Sequence, residues 1–313
     1  MPGPTAHLPR PFAVRDLDWV ISSSFMLGEK PEPDLAVLPE TKALLAKLYR
    51  DPAPLHAHLA AQKSLNLGRY FEQLVIFWLS QLPSVELVGS NIPLYRDKQS
   101  LGELDLIFRH GGKAYHWELA VKFYLNIGSG RDPADFVGPM LRDNLKRKLD
   151  RLSTHQLRLP GTPEGQELLE RLGVKTLSSY AWVKGRLFQP AQHSAGSPPA
   201  LPATISPDCP IGIWVLAQEK SAAPLPAFDC FRLLDKPTWF TGRFLCPEVT
   251  RGGRTALFTA ARQKLEAEGR PVQASLMRDT EASDLTEVAR IFITPESWPR
   301  LSVKAHDGNK LRD

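Results

Sequence analysis

The chain has 313 residues, 42% of them hydrophobic and 23% charged, a balance that excludes global disorder, a collagen-like fibre and a disulfide scaffold. That length spans two ordinary domains or one large α/β domain and buries a core without help from structural metal. The net charge of +5 and pI of about 9.1 permit a nucleic-acid partner without demanding one.

The N-terminal stretch MPGPTAHLPRPFAV has no apolar h-region and is not read as a signal peptide. Residues 1–35 read as a Pro-rich arm with one helical piece near Val14–Phe25. PETKALLAKLYRDPAPLHAHLAAQ (39–62) predicts two short helices split at Pro52 and Pro54. SLNLGRYFEQLVIFWLSQL (64–82) has apolar residues at 67, 71, 74, 75, 78, 79 and 82, which is helical spacing with Ser64 or Asn66 as cap. Its Leu74–Leu79 segment is the longest wholly apolar run, far short of a bilayer span, so no membrane partner is expected.

Three strands are predicted next: VELVGSNIPLYRD (85–97) with a Gly bend, LGELDLIFR (101–109) and KAYHWELAVKFYL (113–125). HGGK (110–113) supplies turn chemistry for a hairpin between the last two. GSGRDP (128–133) reads as a loop, and MLRDNLKRKLDRLSTHQL (140–157) as an amphipathic helix with Leu145, Leu149 and Leu152 inward. A strand region follows at 174–188. Residues 189–210, rich in Pro, Ala and Ser, read as a linker or surface loop. Beyond it lie strands at 211–218, 228–234 and 288–295, and a helix over 254–269 ending at Gly269. The expected organisation is an arm (1–63), a core (64–188), a Pro-rich connection (189–210) and an α+β elaboration (211–313).

Side-chain parity singles out two acids. In the second strand Leu101, Glu103, Asp105 and Ile107 share one face; in the third, His116, Glu118, Ala120 and Lys122 do. Leu104, Leu106 and Phe108, and Trp117, Leu119, Val121 and Phe123, make the opposite faces fully apolar. If the hairpin closes through HGGK, Asp105 and Glu118 lie side by side. Two half-buried carboxylates at that separation need a proton or a cation between them. Mg²⁺ or Mn²⁺ with waters resolves the conflict, and Lys122 on the same face can stabilise developing negative charge. Glu72, beside the apolar stripe of the preceding helix, can add a third acid.

An acid on a helix, GELDLI on one strand and WELAVK on the next resemble the PD-(D/E)XK nuclease superfamily. The resemblance implies a restriction-endonuclease-like αβββαβ core, a mixed sheet flanked by helices. It implies that Asp105 and Glu118 bind divalent metal with the Leu119 carbonyl, that Glu72 is the helix acid, and that Gln156 matches an accessory glutamine. The superfamily lysine belongs two residues after the acid; that position is Ala120 here, and Lys122 stands about 6.5–7 Å farther along the strand. LGRYFEQLVIFWL, LGELDLIFR, HWELAVKFYL, KLDRLSTHQL and RIFITPESWP also make most of the chain similar to a bacterial family catalogued as domain of unknown function 1853. That second resemblance implies no activity.

The expected function is hydrolysis of phosphodiester bonds in nucleic acid, with DNA the expected form, Mg²⁺ or Mn²⁺ the cofactor, and Lys146, Lys148, Arg151 and Gln156 contacting the nucleic acid. The alternatives are a nuclease-fold protein that binds nucleic acid without catalysis, motivated by Ala120, and an α/β interaction protein with a protein partner or a second copy of itself. Glu103 and His116 read as a rim residue and a hydrogen-bonded structural histidine. His56 and His58 lack the spacing for zinc, no phosphate loop follows Ser22–Ser24 or the GSG at 128–130, and no GxSxG occurs. Cys209, Cys230 and Cys246 form no CxxC, so a reducing cytoplasm is the expected location.

Overall fold

Helices α1 (Ala13–Ser22), α2 (Pro39–Arg50), α3 (Ala53–Ala60) and α4 (Leu67–Ser80) open the chain; Pro52 separates α2 from α3, while Pro54 lies in the first turn of α3, where proline is tolerated. The computed structural model describes residues 12–62, 65–193, 200–218, 224–241, 249–279 and 285–298. Asn66 caps α4, its side chain accepting from the Arg69 N–H at 3.0 Å; the alternative cap, Ser64, lies outside the described residues, as does Cys246. Strands β1 (Val85–Arg96), β2 (Gln99–His110), β3 (Lys113–Asn126) and β4 (Phe136–Val137) follow, then α5 (Leu145–Thr154), α6 (Pro163–Arg171) and β5 (Ser178–Pro190). The remainder is β6 (Ile211–Leu216), β7 (Cys230–Leu234), β8 (Thr250–Arg251), α7 (Arg254–Glu268), β9 (Val272–Asp279) and β10 (Leu285–Thr294). Among the described residues the protein is therefore α/β, with parallel and antiparallel strand pairs and no helix long and apolar enough to cross a membrane.

Two compact units divide the chain. The first comprises Met1–Ser23, Lys30–Val121 and Ser153–Val183; the second comprises Ser24–Glu29, Lys122–Leu152 and Lys184–Asp313. In the first, β1 pairs antiparallel with β2 and β2 with β3, and β5 neighbours β3. The β1–β2 register shifts between Leu87 and Gly89, the expected bend. Helix α4 organises this unit. Its Trp78 stands 6.2 Å from the Trp182 ring, which stacks on Trp117 at 5.5 Å, and Trp117 meets Phe108 edge-on at 4.8 Å. Tyr70 donates to buried Asp16 at 2.8 Å, and Trp78 Nε1 donates to Thr41 at 3.0 Å, so α4 holds the N-terminal helices by buried hydrogen bonds.

In the second unit the strand order is β5-β6-β10-β9-β7-β8, with β4 on the end of β3. β5–β6 and β6–β10 pair in parallel and the others antiparallel. Helix α7 covers β7 and β9 through Leu257, Phe258, Ala261 and Leu265, and ends at Gly269 in the left-handed conformation (φ 63°). The described part of the Pro-rich stretch is packed: Ile205 and Cys209 are buried and Leu27 bridges Ile205.

Three expectations need correction. The basic helix starts at Leu145 rather than 140, because Leu141 takes a positive φ and the Asn144 side chain caps Arg147 N at 2.9 Å. It ends at Thr154, and Leu149 is only half-buried. Helix α6 and strand β9 are additional elements. β9 hides its period because Val272–Met277 is buried on both faces, with Gln273 and Ser275 turned to polar partners: Gln273 accepts from Arg290 at 3.0 Å and Ser275 donates to Glu287 at 2.5 Å.

Gly185 in β5 has φ 142°, and a Cβ there would stand 2.8 Å from the Lys122 carbonyl carbon and closer still to its oxygen. Gly185→Ala is expected to lower stability by about 3 kcal/mol, combining backbone strain with overpacking. The check is the urea midpoint; an unchanged midpoint refutes the close approach.

Candidate active site

Asp105 and Glu118 sit where the β2–β3 pairing stops. The ladder runs from His110↔Lys113 to Leu106↔Trp117, one step short of setting the two acids opposite each other. Beyond that step the Leu119 N–H turns to Asp105 Oδ2 at 2.8 Å, a backbone donor satisfied by a side chain instead of by the ladder. Both acids are interior, at 6% and 1% exposure. Leu119 and Ala120 are buried beside them. Glu118 Oε1 accepts from Gln156 Nε2, supplied by the 3₁₀ turn Gln156–Gly161 that follows α5.

Glu72 enters from α4, one turn after Arg69. Arg69 Nη1 lies 2.9 Å from Glu72 Oε2 and also donates to Asn91 Oδ1, while Nη2 reaches Glu103 at 3.4 Å. Burial, and then the charge of Asp105, raise the Glu72 carboxyl from its ordinary value to about 7, against the opposing pull of Arg69. Against the lowering effect of burial, Glu72, Glu103 and Asp105 raise the Arg69 guanidinium above its ordinary value. Glu103 is a rim residue, its side chain 43% exposed. The first unit thus gathers Glu72, Asp105, Glu118 and Gln156 with Arg69, Asn91 and Glu103. Arg69 was not singled out from the sequence; its i,i+3 spacing to Glu72 was the available signal, and Asn91 belongs to the irregular β1 (φ 50°) that no periodicity marks.

Lys122 belongs to the second unit, where its Nζ donates to Asp143 Oδ2 at 2.7 Å; Tyr124 OH shares that acceptor at 3.2 Å. Lys146 pairs with Asp150 at 2.7 Å along α5, and Lys148 and Arg151 lie on the same helix, also in the second unit. His116 is fully buried with Nδ1 3.3 Å from Ser179 Oγ, and burial pushes it down to about 4, so the ring is neutral at physiological pH.

The family model for the Domain of unknown function (DUF1853) matches residues 15–294. The chain belongs to the DUF1853 family. That span includes every element from α4 to β10 and all the acids described above. No curated protein and no solved structure matches this DUF1853 chain.

Asp105, Glu118 and the Leu119 carbonyl are hard oxygen donors, the class that suits Mg²⁺ or Mn²⁺ rather than zinc. Among the described residues no group of three or more His, Cys, Asp and Glu converges with metal-binding geometry.

Glu72 makes a pH signature. Its folded value, about 7, lies above its ordinary 4.5. Between those values the folded state binds more proton than the unfolded one, so stability falls as pH rises through the window and levels off above 7. Glu72→Gln, which mimics the neutral acid, should gain in urea midpoint relative to wild type from pH 4.5 to pH 8. A difference that does not change with pH would show that Glu72 titrates normally.

Proposed function

We propose that the first unit is a PD-(D/E)XK-like, divalent-metal-dependent nuclease core, with Asp105 and Glu118 as the metal-holding acids. The observation that carries this reading is the placement of two buried acids at the point where β2–β3 pairing gives out. The order α4–β1–β2–β3–β4–α5–α6–β5, a helix, three strands, helices and a strand with a two-residue β4 inserted, supports it, as does Gln156 bonded to Glu118.

In this reading Asp105, Glu118 and the Leu119 carbonyl hold the ion. A divalent cation there would polarise a phosphoryl group and acidify water. The chain's own groups do the rest. Leu119 N–H orients Asp105, and Gln156 orients Glu118, as outer-shell partners do at metal sites. Glu72 takes up or releases a proton near neutral pH, and Arg69 supplies fixed positive charge beside it. DNA is the proposed substrate and the cytoplasm the proposed location; Cys209 and Cys230 stand as buried thiols.

A second reading, nucleic-acid binding without catalysis, is favoured by Ala120 in the lysine slot and by the Lys122–Asp143 pair. Asp105→Asn and Glu118→Gln decide between them. In the nuclease reading each lowers Mn²⁺-dependent cleavage of linear or branched DNA by at least about 10²-fold and weakens Mn²⁺ binding followed by electron paramagnetic resonance. Gln156→Ala weakens that binding about 10–100-fold. Wild-type protein that neither binds Mn²⁺ nor cleaves DNA would leave the second reading standing.

A further inference from the structure

The 3₁₀ turn that sends Gln156 to Glu118 has a second wall. Two residues on, Arg158 faces a groove of about 620 Å³, together with Thr162, Gln166, Lys175 and Ser179 and the apolar Leu177. No acid lines it. In the same unit Arg69, Arg96 and Arg109 all pair with glutamates. Arg158 and Lys175 are exposed and have no acidic partner among the described residues. Two uncompensated cations in one concavity make a local positive potential that a bland solvated surface, with its signs interspersed, does not have.

The groove and the acids share two structural elements. Gln156 and Arg158 share one turn. Ser179 Oγ in the groove wall lies 3.3 Å from His116 Nδ1, and His116 precedes Glu118 by two residues on β3, about 6.5–7 Å along the strand. A nucleic-acid strand carries a phosphate roughly every 3.4 Å of its axis. Arg158 and Lys175 line the same groove and offer two positive charges to such a backbone.

We propose that this groove is a phosphate-binding subsite for a nucleic-acid strand, with Arg158 and Lys175 as its charged contacts. It rests on the nuclease reading for its substrate class but not on cleavage, since the contacts need no metal. Arg158 offers a planar fork to phosphate oxygens and Lys175 a point charge, while Leu177 gives sugar and base an apolar wall.

The test is fluorescence anisotropy with a labelled 20-nucleotide DNA, single-stranded and duplex, in EDTA at 50 and 200 mM salt. The double variant Arg158→Glu/Lys175→Glu should weaken binding at least tenfold at 50 mM and reduce the salt slope by about 2. Arg158→Lys/Lys175→Arg, which keeps both charges, should stay within about threefold of wild type. Unchanged affinity in the charge-reversed pair, or no DNA binding by wild type, overturns the subsite, and so does equal competition by polyglutamate. Mn²⁺ binding at the acids is measured separately on the same variants. A protein that binds DNA through the groove yet takes up no Mn²⁺ refutes the nuclease reading and leaves the subsite intact.

Discussion

The hydrogen bond from the Leu119 amide to Asp105 decides how the first unit is built. When β2 and β3 stop pairing after Leu106↔Trp117, a buried N–H loses its ladder partner. Leaving it unpaired would cost about 1–3 kcal/mol. Asp105 supplies the acceptor, so the same carboxylate that ends the ladder is held in the interior. Glu118 is drawn in on the neighbouring strand and is met by Gln156. The polar centre therefore exists because the sheet opens, and the sheet can open because an acid takes over the backbone's hydrogen bond.

Acids and a guanidinium meet at that opening. Arg69 answers Glu72 and Glu103, yet burial and Asp105 still raise Glu72 to about 7. A raised carboxyl is what burial beside a second acid produces. The position two residues after Glu118 is Ala120, and Lys122 serves Asp143. Arginine differs from lysine here, because its guanidinium stays charged and cannot act as a base. Glu72, raised to about 7, is a group beside Arg69 that can exchange a proton near neutral pH.

Legibility from the sequence followed periodicity. Helix α4 and strands β2 and β3 repeat their apolar residues at 3.6 and 2, and the HGGK turn fixed the parity that placed Asp105 and Glu118 on one face. β9 was hidden because Gln273 and Ser275 point into the interior to meet Arg290 and Glu287. Helix α6 announced itself only by Thr162 and Pro163, a cap signal in a segment with little apolar stripe. Arg69 escaped because an ion pair inside one helix is, in most proteins, a solvated ornament. Its role depends on Glu103 and Asn91, brought from other strands by tertiary structure.

The same distinction between local and tertiary information bears on the basic residues. Counting charges along α5 puts weight on Lys146, Lys148 and Arg151, since they cluster in sequence. Lys146 is neutralised one turn away by Asp150, and an i,i+4 pair of this kind leaves little net field. Arg158 and Lys175 are separated by 17 residues (175 − 158) and draw no attention in a linear scan. The fold gives them one groove with no acid in its lining, and no acidic partner among the described residues. Electrostatic attraction for a phosphate follows the uncompensated charge in space, which is why the proposed subsite rests on the scattered pair and not on the cluster in sequence.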